Sequence, residues 1–179
     1  MQPFSSVKSI VEGVFFLSYE NVVLVRDLMI KRVTSSEDET RLFGETLGSL
    51  LKAGDVVLLS GELGVGKTRL AQGIAKGLGC LANVTSPTFV LINEYPGDVN
   101  FFHADLYRLE KADLGEIGLW DSTEQGVLVV EWPERAGDSF PESAIGLALS
   151  FGLRDNERVI EFSATGERGQ SILASGGFK

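Results

Sequence analysis

Residues 61–68 read Gly-Glu-Leu-Gly-Val-Gly-Lys-Thr. They fit G-x-x-x-x-G-K-[ST], the pattern of a loop that cradles the phosphates of a nucleoside triphosphate. Gly61, Gly64 and Gly66 permit a tight concave turn whose N–H groups face phosphate oxygens. A helix starting at the loop adds about half a positive charge there. Lys67 offers an ammonium to the β- and γ-phosphates, and Thr68 a hydroxyl to a magnesium ion. The flanks agree with this reading. Val56-Val57-Leu58-Leu59 upstream has the length and apolarity of a buried strand. Downstream, Leu70, Ala71, Ile74, Ala75 and Leu78 recur at helical spacing, with Gly77 and Gly79 as stop signals.

Further elements follow outward from the loop. Ile30–Val33 reads as a first core strand. Ser36-Glu37-Asp38-Glu39 is a capping box. Leu42, Phe43, Leu47, Leu50 and Leu51 make one apolar helical stripe after it, closed by Gly54. Past the loop helix, Thr88–Tyr95 reads as a strand, Pro96-Gly97-Asp98 as a turn and Asn100–His103 as the returning strand. Residues 108–120, with Leu109, Leu114, Ile117 and Leu119 among charges, suggest short helices. Val127–Glu131 has the profile of a central buried strand. Ile145–Phe151 and Arg158–Phe162 form a terminal pair around a turn at Gly152–Glu157. The tail from Gly166 is polar and expected to fray.

A phosphate loop needs a carboxylate at a neighbouring strand end to hold magnesium, directly or through water. Two segments supply one: Val127-Leu128-Val129-Val130-Glu131, the better candidate, and Phe101-Phe102-His103-Ala104-Asp105. Residue types alone do not separate a metal ligand from a water-positioning base. His103 reads as a buried, hydrogen-bonded histidine. Thr85-Ser86-Pro87-Thr88-Phe89, one helix after the loop, brings hydroxyls where a segment sensing the γ-phosphate would stand. The same residues would also serve as a plain Ser-Pro turn.

Composition narrows the function. The 179 residues suit one domain, and the net charge of −9 speaks against unaided nucleic-acid binding. Cys80 is the single cysteine and His103 the single histidine, which excludes a disulfide framework and multi-histidine metal sites. A cytosolic protein is expected on that cysteine usage. Residues 1–28 contain two short apolar runs, broken by Glu12, Glu20 and Asp27, that fit neither a membrane span nor a signal peptide. They are expected to be an extension outside a core that begins at Met29. No Asn-Lys-x-Asp guanine signature occurs.

Four blocks in order are Gly61–Thr68, Thr85–Phe89, His-x-Asp-x-Tyr-Arg (His103, Asp105, Tyr107, Arg108) and Val-Glu-Trp-Pro-Glu-Arg at 130–135. Together they resemble the TsaE family, also called YjeE, the bacterial ATPase subunit of tRNA threonylcarbamoyladenosine synthesis. The resemblance spans about residues 29–165 and leaves 1–28 and 166–179 outside. It implies a single α/β domain of the P-loop NTPase fold, with a central mixed sheet flanked by helices. It implies ATP and Mg2+ as ligands, and hydrolysis that is weak alone and stimulated by partners. Those partners are the threonylcarbamoyl transferase subunit and its paralogue, with tRNA contacted only through the complex. Carried over by position, Gly64, Val65, Gly66, Lys67, Thr68 and Arg69 would hold the phosphates. Thr68 and Glu131 would bind magnesium, and Asp105 would serve hydrolysis with Lys67. Thr85, Ser86, Pro87 and Thr88 would form a switch-like segment. Glu37 and Arg158 would border the nucleotide, Arg158 by strand order alone. Trp132 could face a partner or the core. A free-standing kinase built on the same loop is the alternative. With no internal arginine finger evident, a partner completing the site could accelerate hydrolysis about a thousandfold.

Overall fold

The structure is a computed structural model and describes residues 28–87, 91–109, 123–137, 139–164 and 166–175. Seven strands form one sheet: β1 (Leu28–Thr34), β2 (Val56–Gly61), β3 (Ile92–Tyr95), β4 (Asn100–Asp105), β5 (Gly126–Glu131), β6 (Ile145–Phe151) and β7 (Arg158–Ala164). Their order is β1-β7-β6-β2-β5-β4-β3. Four adjacent strands, β6, β2, β5 and β4, run parallel, and antiparallel pairing closes both edges. The sheet is therefore mixed, with β2 and β5 at its parallel heart.

Strand alternation sorts the core into two layers. Val57, Leu59, Phe101, Val127 and Val129 face a cluster shared with the helices α1 (Glu37–Gly48), α2 (Lys67–Gly77) and α3 (Glu167–Ala174). Val56, Phe102, Ala104, Leu128 and Val130 face a second cluster on the other side. Every residue of β5 is buried, as its continuous apolar run predicts.

The stripe expected on the first helix is only half right. The helix stops at Gly48, so Leu50 and Leu51 lie in the turn beyond it, and Leu42 is 62 % exposed. The buried face is Thr40, Phe43, Gly44, Leu47 and Gly48, because α2 crosses at backbone contact. A Cβ on Gly73 would stand 2.1 Å from the Arg41 carbonyl oxygen, and one on Gly48 2.2 Å from that of Ile74. The capping box forms in modified shape. Ser36 Oγ accepts from the Glu39 amide at 3.1 Å, but the Glu39 carboxylate takes the amide of Ser35, one residue earlier than expected, at 2.7 Å.

Other boundaries shift. Among the described residues β1 starts at Leu28, which pairs with Ala164, two residues ahead of the strand expected from Ile30. β3 spans Ile92–Tyr95; the start of the expected strand at residues 88–90 lies outside the described residues, as do 110–122 with most of the expected short helices. The tail is corrected outright: Glu167–Ala174 is a helix, with Ile172 and Leu173 in the core.

Candidate functional site

The two helix starts at the cleft differ. α1 is satisfied by its own side chains: Ser36 caps it and Glu37, Asp38 and Glu39 fill its first turn. α2 begins on Gly66 with no side-chain cap and no acidic residue in its first turn. The first amides of a helix have no intrahelical acceptor, so the end of α2 that meets the loop is open to an anion. Gly66 holds φ 110° to make that start. Gly61 is required twice over: its φ is 132°, and a Cβ there would stand 2.3 Å from the Leu149 carbonyl oxygen.

Lys67 is almost wholly buried at 4 % exposure. Its ammonium donates to the carbonyl oxygens of Gly61 at 2.6 Å and Glu62 at 2.9 Å. The Trp132 ring covers it, with Nζ 3.7 Å from the ring centroid. Burial pushes its pKa below the ordinary lysine value, while Glu131, Glu134 and Asp105 pull the other way.

Sheet topology places the acids. β5 neighbours β2, and its parallel register sets Glu131 beside Leu59. β4 lies one strand farther out and sets Asp105 beside Glu131. By alternation Glu131 and Asp105 share the α2 face with Val129 and His103. Glu131, 3 % exposed, therefore reaches the loop: the Thr68 hydroxyl donates to its Oε1 at 2.8 Å. His103, fully buried, meets the same oxygen through Nε2 at 3.0 Å. Asp105 takes the Ser86 hydroxyl on Oδ2 at 2.5 Å and the Tyr107 amide on Oδ1 at 3.0 Å.

These side chains line a cleft of about 980 Å³. Its walls include Glu37, Gly64, Val65, Gly66, Lys67, Thr68, Arg69, Ser86, Pro87, Asp105, Glu131 and Arg158. Arg69 pairs with Glu37 at 2.9 Å, which ties the loop helix to the start of α1. Arg158 Nε donates to the Val65 carbonyl at 2.8 Å, so the residue located by strand order alone does reach the loop. Thr85 does not line the cleft; its backbone meets the Tyr95 hydroxyl. Thr88 lies outside the described residues.

Trp132 lines the cleft and also packs against the second core cluster. It is the sole non-glycine residue at positive φ among the described residues, with φ 61° and ψ 48°. Such a conformation costs about 1–3 kcal/mol and persists only when its surroundings fix it. Here the Trp132 amide donates to Leu59 O at 3.1 Å, and the ring lies 4.9 Å from that of Tyr107. Tyr107 and Arg108 of the third sequence block line the cleft too, as do Asn156 and Thr40, which no motif marks.

The donor set suits magnesium. A hydroxyl and a carboxylate are hard oxygen ligands, and magnesium commonly takes only one or two protein oxygens beside phosphate and water. No cluster of three or more His, Cys, Asp or Glu side chains fit for a metal occurs among the described residues.

A loop of this sequence, seated between a buried parallel strand and an uncapped helix, makes the molecule a P-loop NTPase in fold. The family model described as "Threonylcarbamoyl adenosine biosynthesis protein TsaE" matches residues 34–160, and the chain belongs to the TsaE family. A relative from Nostoc, named tRNA threonylcarbamoyladenosine biosynthesis protein TsaE, is 41 % identical over 132 residues, covering 70 % of this chain and 81 % of its own. The protein of that name from Bacillus subtilis is 36 % identical over 141 residues, covering 78 % and 88 %. The crystal structure of B. subtilis YdiB superposes with a TM-score of 0.70 at 31 % identity, over 84 % of this chain and 95 % of that one. No helix among the described residues is long and apolar enough to cross a membrane.

Proposed function

We propose that this chain is the ATP-binding, magnesium-dependent ATPase subunit required for threonylcarbamoyladenosine modification of tRNA. It would act with the transferase subunit and its paralogue and touch tRNA only through them. One contact carries the reading: the Thr68 hydroxyl donating to Glu131. A hydroxyl oriented this way keeps its lone pairs for a cation, and the carboxylate behind it balances the charge. Magnesium, when bound, neutralises charge on the β- and γ-phosphates.

In this reading the loop amides and Lys67 hold the phosphates, and Thr68 with Glu131 holds the metal. Glu37, Arg69 and Arg158 form the outer wall. Asp105 orients the attacking water and takes up its proton as the bond from the γ-phosphorus to the leaving ADP oxygen breaks. Ser86, hydrogen-bonded to Asp105, links the Thr85–Thr88 segment to that step. The net charge of −9 favours docking on a protein over gripping RNA. The cytosol is the compartment this role requires.

Phosphate release from ATP, measured with and without the two transferase proteins, tests the proposal. Magnesium-dependent release that rises when they are added is expected. Phosphoryl transfer to a metabolite would replace the proposal with a kinase. Tight ATP binding with no release under any condition would leave only a binding switch.

A further inference from the structure

His103 is fully buried in the inner strand β4, and nothing in the role just proposed uses it. Its Nε2 lies 3.0 Å from Glu131 Oε1, the oxygen that also accepts the Thr68 hydroxyl at 2.8 Å. A carboxylate only accepts, so the imidazole must donate. Nε2 then carries the proton and Nδ1 the bare lone pair. Nδ1 is the one buried side-chain nitrogen or oxygen without a hydrogen-bond partner among the described residues, and a proton there would be a buried donor with no acceptor, at further cost. The Phe101 ring, 5.8 Å away on the same strand face, helps hold the imidazole in place.

We infer that His103 is a positioning residue, one that fixes the Glu131 carboxylate through Nε2–H and, through it, aims the Thr68 hydroxyl at the metal. A glutamate carboxyl at a strand end has three rotatable bonds. Two donors on one oxygen, one from α2 and one from β4, hold it against the loop. A buried carboxylate fixed by one donor alone can swing, and the Thr68 hydroxyl then loses the acceptor that directs its lone pairs into the cleft. The inference rests on the proposed metal role of Thr68 and Glu131.

Because His103 is the single histidine, 15N NMR of the full chain reads its ring without assignment. A proton on Nε2, with its resonance moved by Glu131→Gln, is expected. A proton on Nδ1, or a ring indifferent to Glu131→Gln, overturns the inference. The second measurement is binding of a fluorescent ADP analogue, titrated with magnesium and then stripped with EDTA. His103→Leu should lower magnesium affinity about 10- to 100-fold, the usual cost of losing a partner behind a metal ligand, while leaving EDTA binding as in the wild type. His103→Gln, which restores a donor near the place of Nε2, should recover most of that affinity. Unchanged magnesium affinity in a folded His103→Leu, or an equal loss in His103→Gln, removes the positioning role and leaves the proposed function intact. A wild type that shows no tightening by magnesium instead sinks the proposed function, and this inference with it.

Discussion

At the residue scale, Lys67 shows how the loop stores a charge. Two neutral carbonyls and an indole face hold its ammonium at 2.6, 2.9 and 3.7 Å. Phosphate oxygens carry full negative charge where the carbonyls carry only a dipole, so they draw the ammonium away from the loop. Lys67→Ala removes that term and should weaken nucleotide binding at least about tenfold, since a hydrogen bond to a charged group contributes about 1.5–3 kcal/mol. Titration with a fluorescent nucleotide measures it, and an unaltered affinity would take the loop out of the account. The two acids should separate by role. Asp105→Ala should slow ATP hydrolysis about 10²- to 10⁴-fold, the range for general-base catalysis, with little loss of binding. Glu131→Ala should chiefly raise the magnesium concentration needed. The opposite pattern in steady-state kinetics would exchange their roles. Both acids were legible as strand-end residues. Residue types alone did not say which one meets Thr68, and the resemblance named Glu131; the physical reason is strand order, since β5 adjoins β2 and β4 lies beyond it. Trp132 was illegible for a local reason. A tryptophan after a strand points by its backbone angles, and a positive φ in a non-glycine residue has no signature in the sequence.

At the element scale, the site depends on how closely α1 and α2 cross. Gly44, Gly48, Gly73 and Gly77 lie at backbone distance from the facing helix. This explains why Leu42, inside the apolar stripe by spacing, is exposed: the contact is made by glycines and flanked by Phe43 and Leu47. Hydrophobic periodicity cannot register a face built from missing side chains. Gly73→Ala should therefore be costly despite the better helix propensity of alanine. The added methyl would meet the Arg41 carbonyl at 2.1 Å, and overpacking of that kind costs about 1–3 kcal/mol. Denaturant unfolding should show a lower midpoint, and nucleotide affinity should fall with it because α2 begins at Lys67. A midpoint at or above the wild-type value would mean that the helices can part freely. The strand–loop–helix unit around residues 56–77 was fully legible by contrast, since its glycines, apolar run and helical stripe all name the same structure.

At the scale of the whole molecule, the family match covers residues 34–160, yet the folded unit extends beyond it on both sides. Leu28 opens β1, and α3 follows β7. The terminal helix was missed because its eight residues are polar at the start and Gly166 offers no side-chain cap; so short a helix is held by tertiary contacts and not by propensity. Those contacts are specific. Arg168 binds both Asp55 oxygens, from Nε at 3.0 and 3.2 Å and from Nη2 at 2.7 Å, and Nη2 also donates to the Leu50 carbonyl at 2.6 Å. Asp55 is 7 % exposed and precedes β2 at the end opposite the loop. Arg168→Ala would leave that buried carboxylate with only the Lys52 amide as donor and should cost roughly 1.5–3 kcal/mol, the scale of hydrogen bonds to charged groups. Nucleotide affinity should be unchanged, because the six residues of β2 set the latch about 20 Å from the phosphates. Removal of residues 1–27, which keeps Leu28, should alter neither quantity if the core begins where β1 does. Chemical denaturation and nucleotide titration on the two variants decide both points. A truncated chain that unfolds early would make the leading segment part of the domain, and an Arg168→Ala protein that binds nucleotide poorly would mean that strain at one end of β2 travels to the other.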